Sequence, residues 1–274
     1  MIAITGASGF LGRHISKTLT PNVPVPRPAR TDLWAWKRWL NNTAPSVVIH
    51  CAGLADVRRS ITDPGGAFRA NAAETFTLLE GLEGRKILLV YVATDKVFGD
   101  QQDCDLFTPY HPLNSYDASK VSAEYAVLDF QKRNPCVIAR FPNFFGNDDP
   151  HPERLIPSIM LAMCSGDRQF RVRTNPDATR QYIWINDAVR CIRHVISEPT
   201  AAPVHHFAPQ IIKSVRQVVN DLGEIFHHQM DLVTMNLPGE ANQLSLKNCT
   251  PLDIAYTNWE TALDCFKLVT IQQS

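Results

Sequence analysis

The sequence carries no excess of either charge: 27 basic residues balance 27 acidic ones across 274 positions. That leaves no electrostatic footprint for nucleic acid or for an anionic membrane surface. It has no apolar run long enough to span a bilayer. It has no Cys-x-x-Cys, and its seven cysteines, at 51, 104, 136, 164, 191, 249 and 265, are odd in number and scattered. Neither a disulfide framework nor a zinc site is expected, and a reducing cytoplasm fits. His205-His206 and His227-His228 are adjacent pairs rather than ligands one helical turn apart, so no metal site is expected. There is no internal repeat and no low-complexity tract, and no basic leader or small-residue cleavage site stands before the first strand, so no signal peptide is expected. What remains is a chain 45% hydrophobic, able to bury one large core or one domain plus a small lobe.

The first motif is Gly6-Ala7-Ser8-Gly9-Phe10-Leu11-Gly12, placed between a short apolar strand (2–5) and a helix through about Leu19. Glycines in this spacing permit a tight turn, a close approach of pyrophosphate to backbone, and close helix–strand packing. The helix start then offers free N–H groups to the anion. A turn that binds nothing has the same glycines, but placement between strand and helix favours dinucleotide binding. Residues 22–28 alternate apolar residues with prolines and predict a short or edge strand. Where NAD-preferring folds place an acid, this chain has Pro26 and Arg27, with Arg30 nearby; a guanidinium suits a 2′-phosphate and leans toward NADP, although solvated loop charges fit as well. Asp32 is read first as a helix cap for 33–40.

Residues 47–53 predict a buried strand ending in small residues, with His50 and Cys51 read as packed side chains. A helix is expected over 63–82, with Asn71 facing the sheet as a brace. Lys86 to Val92 predict a strand buried on both faces. Thr94 and Asp95 follow it, on the side where open α/β sheets bind ligands.

Tyr116 and Lys120 lie one turn apart on a helix expected from Ser115 to about Lys132. A neighbouring ammonium favours phenolate and is expected to lower the tyrosine pKa, making Tyr116 a proton donor and acceptor for a hydroxyl/carbonyl pair. An inert amphipathic helix would carry the same spacing, so the pair counts only in company. A strand at 135–141 leads to Asn143, again at a strand end. Beyond Asp148, a helix at 155–165, a strand at 170–173, a helix at 187–196, a returning strand at 204–207, and helices at 215–228 and 251–269 suggest a smaller lobe.

Taken together, TGASGFLG at 5–12, HCAG at 50–53, ATDKVFGD at 93–100, YDASK at 116–120, RFPNFFG at 140–146 and RQYIWINDA at 180–188 resemble the extended short-chain dehydrogenase/reductases that act on nucleotide sugars, the epimerase/dehydratase family. The likeness covers about residues 1–190. It implies a Rossmann-like, doubly wound parallel α/β sheet with a smaller C-terminal α/β lobe. The dinucleotide-binding domain would take 1–147 plus parts of 181–210, and the substrate lobe 148–180 plus 211–274. It implies catalysis by Thr94, Tyr116, Lys120 and Asp95. It implies cofactor contacts from Gly6, Ser8, Gly9, Phe10, Leu11, Gly12, Arg27, Asp32, Leu33, Cys51, Ala52, Gly53, Asn71, Tyr116, Lys120 and Phe141, and substrate contacts from Thr94, Asn143 and Arg180. NADP or NAD and a nucleotide sugar are the implied ligands, with a homodimer as a state seen in the family. Thr94-Asp95-Lys96 looks like the motif of some 4,6-dehydratases, in which the Asp donates a proton to the departing C6 oxygen; others of that group have Glu as base where this chain has Lys96. The compact N-terminal half looks more like the dTDP-4-dehydrorhamnose reductases, and Arg180-Gln181-Tyr182 like epimerases. A non-catalytic NADP-binding regulator on the same scaffold is the remaining alternative.

Overall fold

The structure is a computed structural model that describes residues 1–27, 31–172, 175–198, 202–235 and 243–273, with side chains through Phe266. Arg30, Pro28 and Arg173, named above, lie outside the described residues.

Short apolar runs form a six-stranded sheet, all parallel, from β1 (Ile2–Thr5), β2 (Asn22–Pro24), β3 (Val47–His50), β4 (Leu88–Thr94), β5 (Cys136–Phe141) and β9 (Val204–His206), in the order β2-β1-β3-β4-β5-β9. Every residue of β3 and β5 is buried, as a strand covered on both faces requires. The proline-bearing β2 is an edge strand, as its sequence predicts. On one face lie α1 (Phe10–Thr18) and, later in the chain, α8 (Ile185–Ser197), whose apolar sides join Ile4, Ile49 and Val90. On the other lie α2 (Leu33–Thr43), α5 (Glu74–Leu82) and α6 (Ser115–Gln131). Trp36 is seated there by Gly81: a Cβ at 81 would fall 2.0 Å from its ring. Between α2 and α5 come α3 (Val57–Thr62) and α4 (Pro64–Phe68), the latter joined to α5 by a π turn at Arg69–Ala73.

A second layer is built on β8 (Thr179–Trp184). It pairs antiparallel with β10 (Ile212–Ser214) and parallel with β12 (Gln243–Leu244) and β6 (Asn143–Phe145), while β7 (Gln169–Val172) pairs with β11 (Asp231–Thr234). Helices α7 (Leu155–Cys164), α9 (Val215–Ile225) and α10 (Trp259–Gln273) share its own apolar cluster around Phe145, Tyr182, Trp184 and Trp259.

Two elements differ from expectation. The strand expected at 86–92 runs two residues later, because Thr94 stays in register opposite Phe141. The last helix begins at Trp259 rather than Pro251. The buried Asp187 carboxyl accepts from Thr257 N and Oγ1 at 2.6 and 2.9 Å, and Asn258 Oδ1 accepts from Thr261 N at 2.8 Å. Residues 251–258 are thereby laid along α8 and capped only afterwards. Among the described residues no helix is long and apolar enough to cross a membrane.

Candidate active site

The chain leaves β1 outward to β2 and returns to β3, so a crevice opens between the carboxyl ends of β1 and β3. Gly6 turns there with φ of +68°, and a Cβ would meet Ala52 N at 2.7 Å. Gly12 lies so close that a Cβ would sit 2.1 Å from Gly6 O. Gly9 stands at the start of α1 with no side-chain cap, leaving the first N–H groups of that helix to an outside acceptor. This turn fits a dinucleotide pyrophosphate. Phe10 and Leu11 put their side chains into the core, so only their backbone can serve it. Ser8 is exposed, its carbonyl accepting from Arg13 Nη2 at 3.0 Å.

Asp32 is a cap, as read: its carboxylate accepts from Ala35 N at 2.6 Å, and half-buried Leu33 opens the helix behind it. Arg27 is exposed just beyond β2. Asn71, in the π turn, does not line the cleft. Its Oδ1 accepts from Leu54 N (2.8 Å) and its Nδ2 donates to Ser119 Oγ (2.9 Å), which in turn donates to Tyr116 O at 2.7 Å. The residue is a brace between the loop after β3 and the start of α6, and its place among cofactor contacts is corrected accordingly. His50 is a packed strand residue, bonded to Thr5 Oγ1 at 2.7 Å and Thr75 Oγ1 at 3.1 Å. Burial pushes the Cys51 thiol up to about 12, so it is no nucleophile.

A cavity of about 390 Å³ brings together Cys51, Ala52, Gly53, Thr94, Asp95, Tyr116, Lys120, Phe141, Asn143 and Arg180. Thr94, the last residue of β4, accepts from Lys96 N at 3.3 Å and donates to Asp95 Oδ1 at 3.1 Å. Its side chain also contacts the Tyr116 hydroxyl. Asn114 Oδ1 caps α6 by accepting from Asp117 N at 3.0 Å, which fixes Tyr116 in the first turn. Asn143 Nδ2 donates to Gln181 O at 3.0 Å, and Arg180 Nη1 to Thr179 O at 2.8 Å. Phe141 stacks on Phe207 with ring centres 5.1 Å apart.

The electrostatics differ from the sequence expectation. Burial raises the Tyr116 pKa; the Asp117 and Asp95 carboxylates add to this, while the Arg154 guanidinium and the Thr94 hydrogen bond oppose it. A depressed phenol from Lys120 alone is therefore corrected: in this cleft desolvation outweighs the neighbouring cation. Lys120 is itself pushed down to about 8 by burial, with Glu124 and Cys51 opposing, and its Nζ lies 5.3 Å above the Tyr91 ring.

Sequence reading missed Asp117, Asp149 and Arg154. Asp117 stood inside the Tyr-Lys motif and carried a signal. Arg154 did not: it is brought in by the start of α7, pairs with Asp149 at 3.5 Å and lies 5.8 Å over the Phe10 ring. Among the described residues no group of three His, Cys, Asp or Glu side chains could hold a metal ion.

Residues 2–208 match the NAD dependent epimerase/dehydratase family. A dTDP-glucose 4,6-dehydratase of Neisseria gonorrhoeae is 29% identical over 194 residues, covering 65% of this chain and 56% of that protein; the chain thus spans little more than half the length of such curated relatives. Among solved structures, UDP-glucuronic acid 4-epimerase from Bacillus cereus, in complex with UDP-glucuronic acid and NAD, superposes with a TM-score of 0.88 at 20% identity, over 100% of this chain and 99% of that one. A dTDP-4-dehydrorhamnose reductase from Bacillus anthracis, in complex with NADP, gives 0.85 at 20% identity, over 98% and 97%. At that identity the likeness is one of fold.

Proposed function

Because the chain belongs to the NAD dependent epimerase/dehydratase family, we propose that it is an NAD(P)-dependent enzyme that modifies a nucleotide sugar through oxidation and reduction at sugar C4. The observation that carries this reading is the meeting of Thr94, Tyr116 and Lys120 in one cavity beside the glycine turn. Gly6, Gly9 and Gly12 would hold the pyrophosphate, and Cys51 to Gly53 with Phe141 would flank the nicotinamide end. When bound, the nicotinamide supplies and takes back a hydride. Tyr116 Oη takes the C4 hydroxyl proton and later returns it, with Thr94 Oγ1 holding the same oxygen. Lys120 gives its ammonium to the ribose hydroxyls and to the charge that forms on the phenol. Arg180 and Asn143 hold the nucleotide-sugar end, where a guanidinium suits a diphosphate. The lobe of 148–180 plus 211–274 closes the substrate side.

Replacing Tyr116 with Phe tests this directly. Turnover of a UDP- or dTDP-hexose panel should fall ~100- to 10,000-fold, while cofactor still binds by fluorescence titration. Unchanged turnover sinks the assignment. The reading of Arg27 favours NADP, and it supports 4-keto-sugar reduction as the second reading. Titrating NAD against NADP, with Arg27→Glu alongside, decides between them: NADP should bind more tightly and lose that margin in the variant.

A further inference from the structure

Thr94, Tyr116 and Lys120 suffice for oxidation of a hydroxyl, yet the same cavity is lined by two more carboxyls. Asp95 and Asp117 follow Thr94 and Tyr116 in sequence and are 1% and 2% exposed. Each has one oxygen held and one oxygen without a hydrogen bond among the described residues. Asp95 Oδ1 is held by Thr94 Oγ1, and Oδ2 has no partner. Asp117 Oδ2 accepts from Leu113 N and Asn114 Nδ2, both at 3.0 Å, and Oδ1 has no partner. A buried, unpartnered carboxylate oxygen costs stability, and two of them facing one cavity mark a place where a ligand group belongs.

The charges around them are mixed. Lys96 faces both carboxyls, Arg180 faces Asp95, and Tyr116 stands between them with Arg154 beyond. Burial raises both carboxyls, Asp117 to about 6, and the Asp95 charge adds to that rise. Two such groups cannot both ionise cheaply, so near neutral pH they hold one proton between them. Asp117 accepts two N–H bonds, which favour its charged form; the proton therefore resides on Asp95.

We propose that Asp117 and Asp95 are the base and the acid of a second step in this site, the elimination of water from the oxidised sugar. This rests on the hydride-transfer reading of the same site. Asp117 Oδ1 takes the proton on the carbon beside the ketone. The electron pair of that C–H bond becomes a C=C bond to the next carbon. The C–O bond there breaks with its electron pair, and Asp95 gives its proton to the departing hydroxyl, which leaves as water. The carboxyl pair ends with the proton moved from Asp95 to Asp117. The elimination involves no net redox change. The two electrons removed from the sugar by the nicotinamide go back into the enone, so no further oxidant or reductant is needed.

The test incubates the protein with its nicotinamide cofactor and UDP- or dTDP-glucose in D2O, following reduced nicotinamide by absorbance and product by mass spectrometry and NMR. Wild type should give a ketone lighter by one water, with deuterium on the carbon beside it. Asp117→Asn should lower both water loss and deuterium entry ~100-fold while reduced nicotinamide accumulates. Asp95→Asn should lower water loss by a similar factor but still let deuterium enter, a split that a collapsed site would not give. Water loss at the wild-type rate in Asp117→Asn overturns the proposal, as does a wild-type product of unchanged mass with nicotinamide cycling normally. A wild type that never reduces nicotinamide overturns the hydride-transfer reading itself, and the elimination with it.

Discussion

Helix α6 carries two buried polar clusters that obey opposite rules. At its start, Tyr116, Asp117 and Lys120 face a cavity with oxygens left unpaired. One turn beyond Lys120, Glu124 enters a cluster in which the polar groups are matched. Arg140 on β5 donates from Nε to Glu124 Oε1 at 2.7 Å, from Nη2 to Tyr110 Oη at 2.8 Å, and from Nη1 to His206 Nε2 at 2.7 Å, and a further Nη2 bond reaches Glu124. Tyr110 Oη donates to Glu124 Oε1 at 2.7 Å, and His206 Nδ1 faces Cys104 O at 3.1 Å, which assigns the proton to Nδ1 and leaves Nε2 to accept. The guanidinium also lies 5.2 Å over the Phe98 ring. One cluster ties β5, β9, α6 and the loop at 104–110 together; the other keeps its bonding capacity for something not part of the chain. Satisfied networks give rigidity, and reactive sites give up stability.

Removing a partner from the matched cluster gives the largest effect. Arg140→Met strands the Glu124 carboxylate and should cost about 3–5 kcal/mol in denaturant melts, whereas Asp95→Asn should leave stability within ~1 kcal/mol. Equal losses in the two variants would erase the contrast.

The next effect is pH-dependent. Burial, then the Arg140 charge, lowers His206 from 6.5 to about 4. The unfolded chain therefore takes up a proton that the fold refuses. The stability from this group is whole above pH 6.5 and is lost as pH falls toward 4, by about 3 kcal/mol. His206→Gln should flatten that acid limb in melts taken across the window; an unchanged limb would assign it elsewhere.

On the reactive side, turnover that needs the Lys120 ammonium should fall as pH rises through about 8, ~tenfold per pH unit. Unfolding cannot mimic this limb through Lys120. Its folded pKa is below its unfolded one, so the fold gains stability from this group between about 8 and 10.5. A profile flat to pH 10 would show the cation is not needed.

The smallest effect is at the brace. Asn71→Ala removes the bonds to Leu54 and Ser119 and should cost about 1–3 kcal/mol, read as lower kcat with cofactor affinity nearly kept. A change in cofactor affinity alone would return Asn71 to the binding set.

Sequence alone determined the parts of this protein that depend on short spacing. Gly6, Gly9 and Gly12 specify a turn because a side chain has no room there, Tyr116 and Lys120 share a helix face because one turn spans four residues, and the apolar runs of β3, β4 and β5 specify a doubly covered sheet. Tertiary structure decided what depends on burial and on distant chain: that Asn71 braces rather than binds, that desolvation raises Tyr116 against the pull of cations, that Arg154 reaches the site from 38 residues away, and that Asp95 and Asp117 face the same space. A pKa or a partnership is set by the whole surroundings of a group, and those surroundings exist only once β4, α6, α7 and β8 have met.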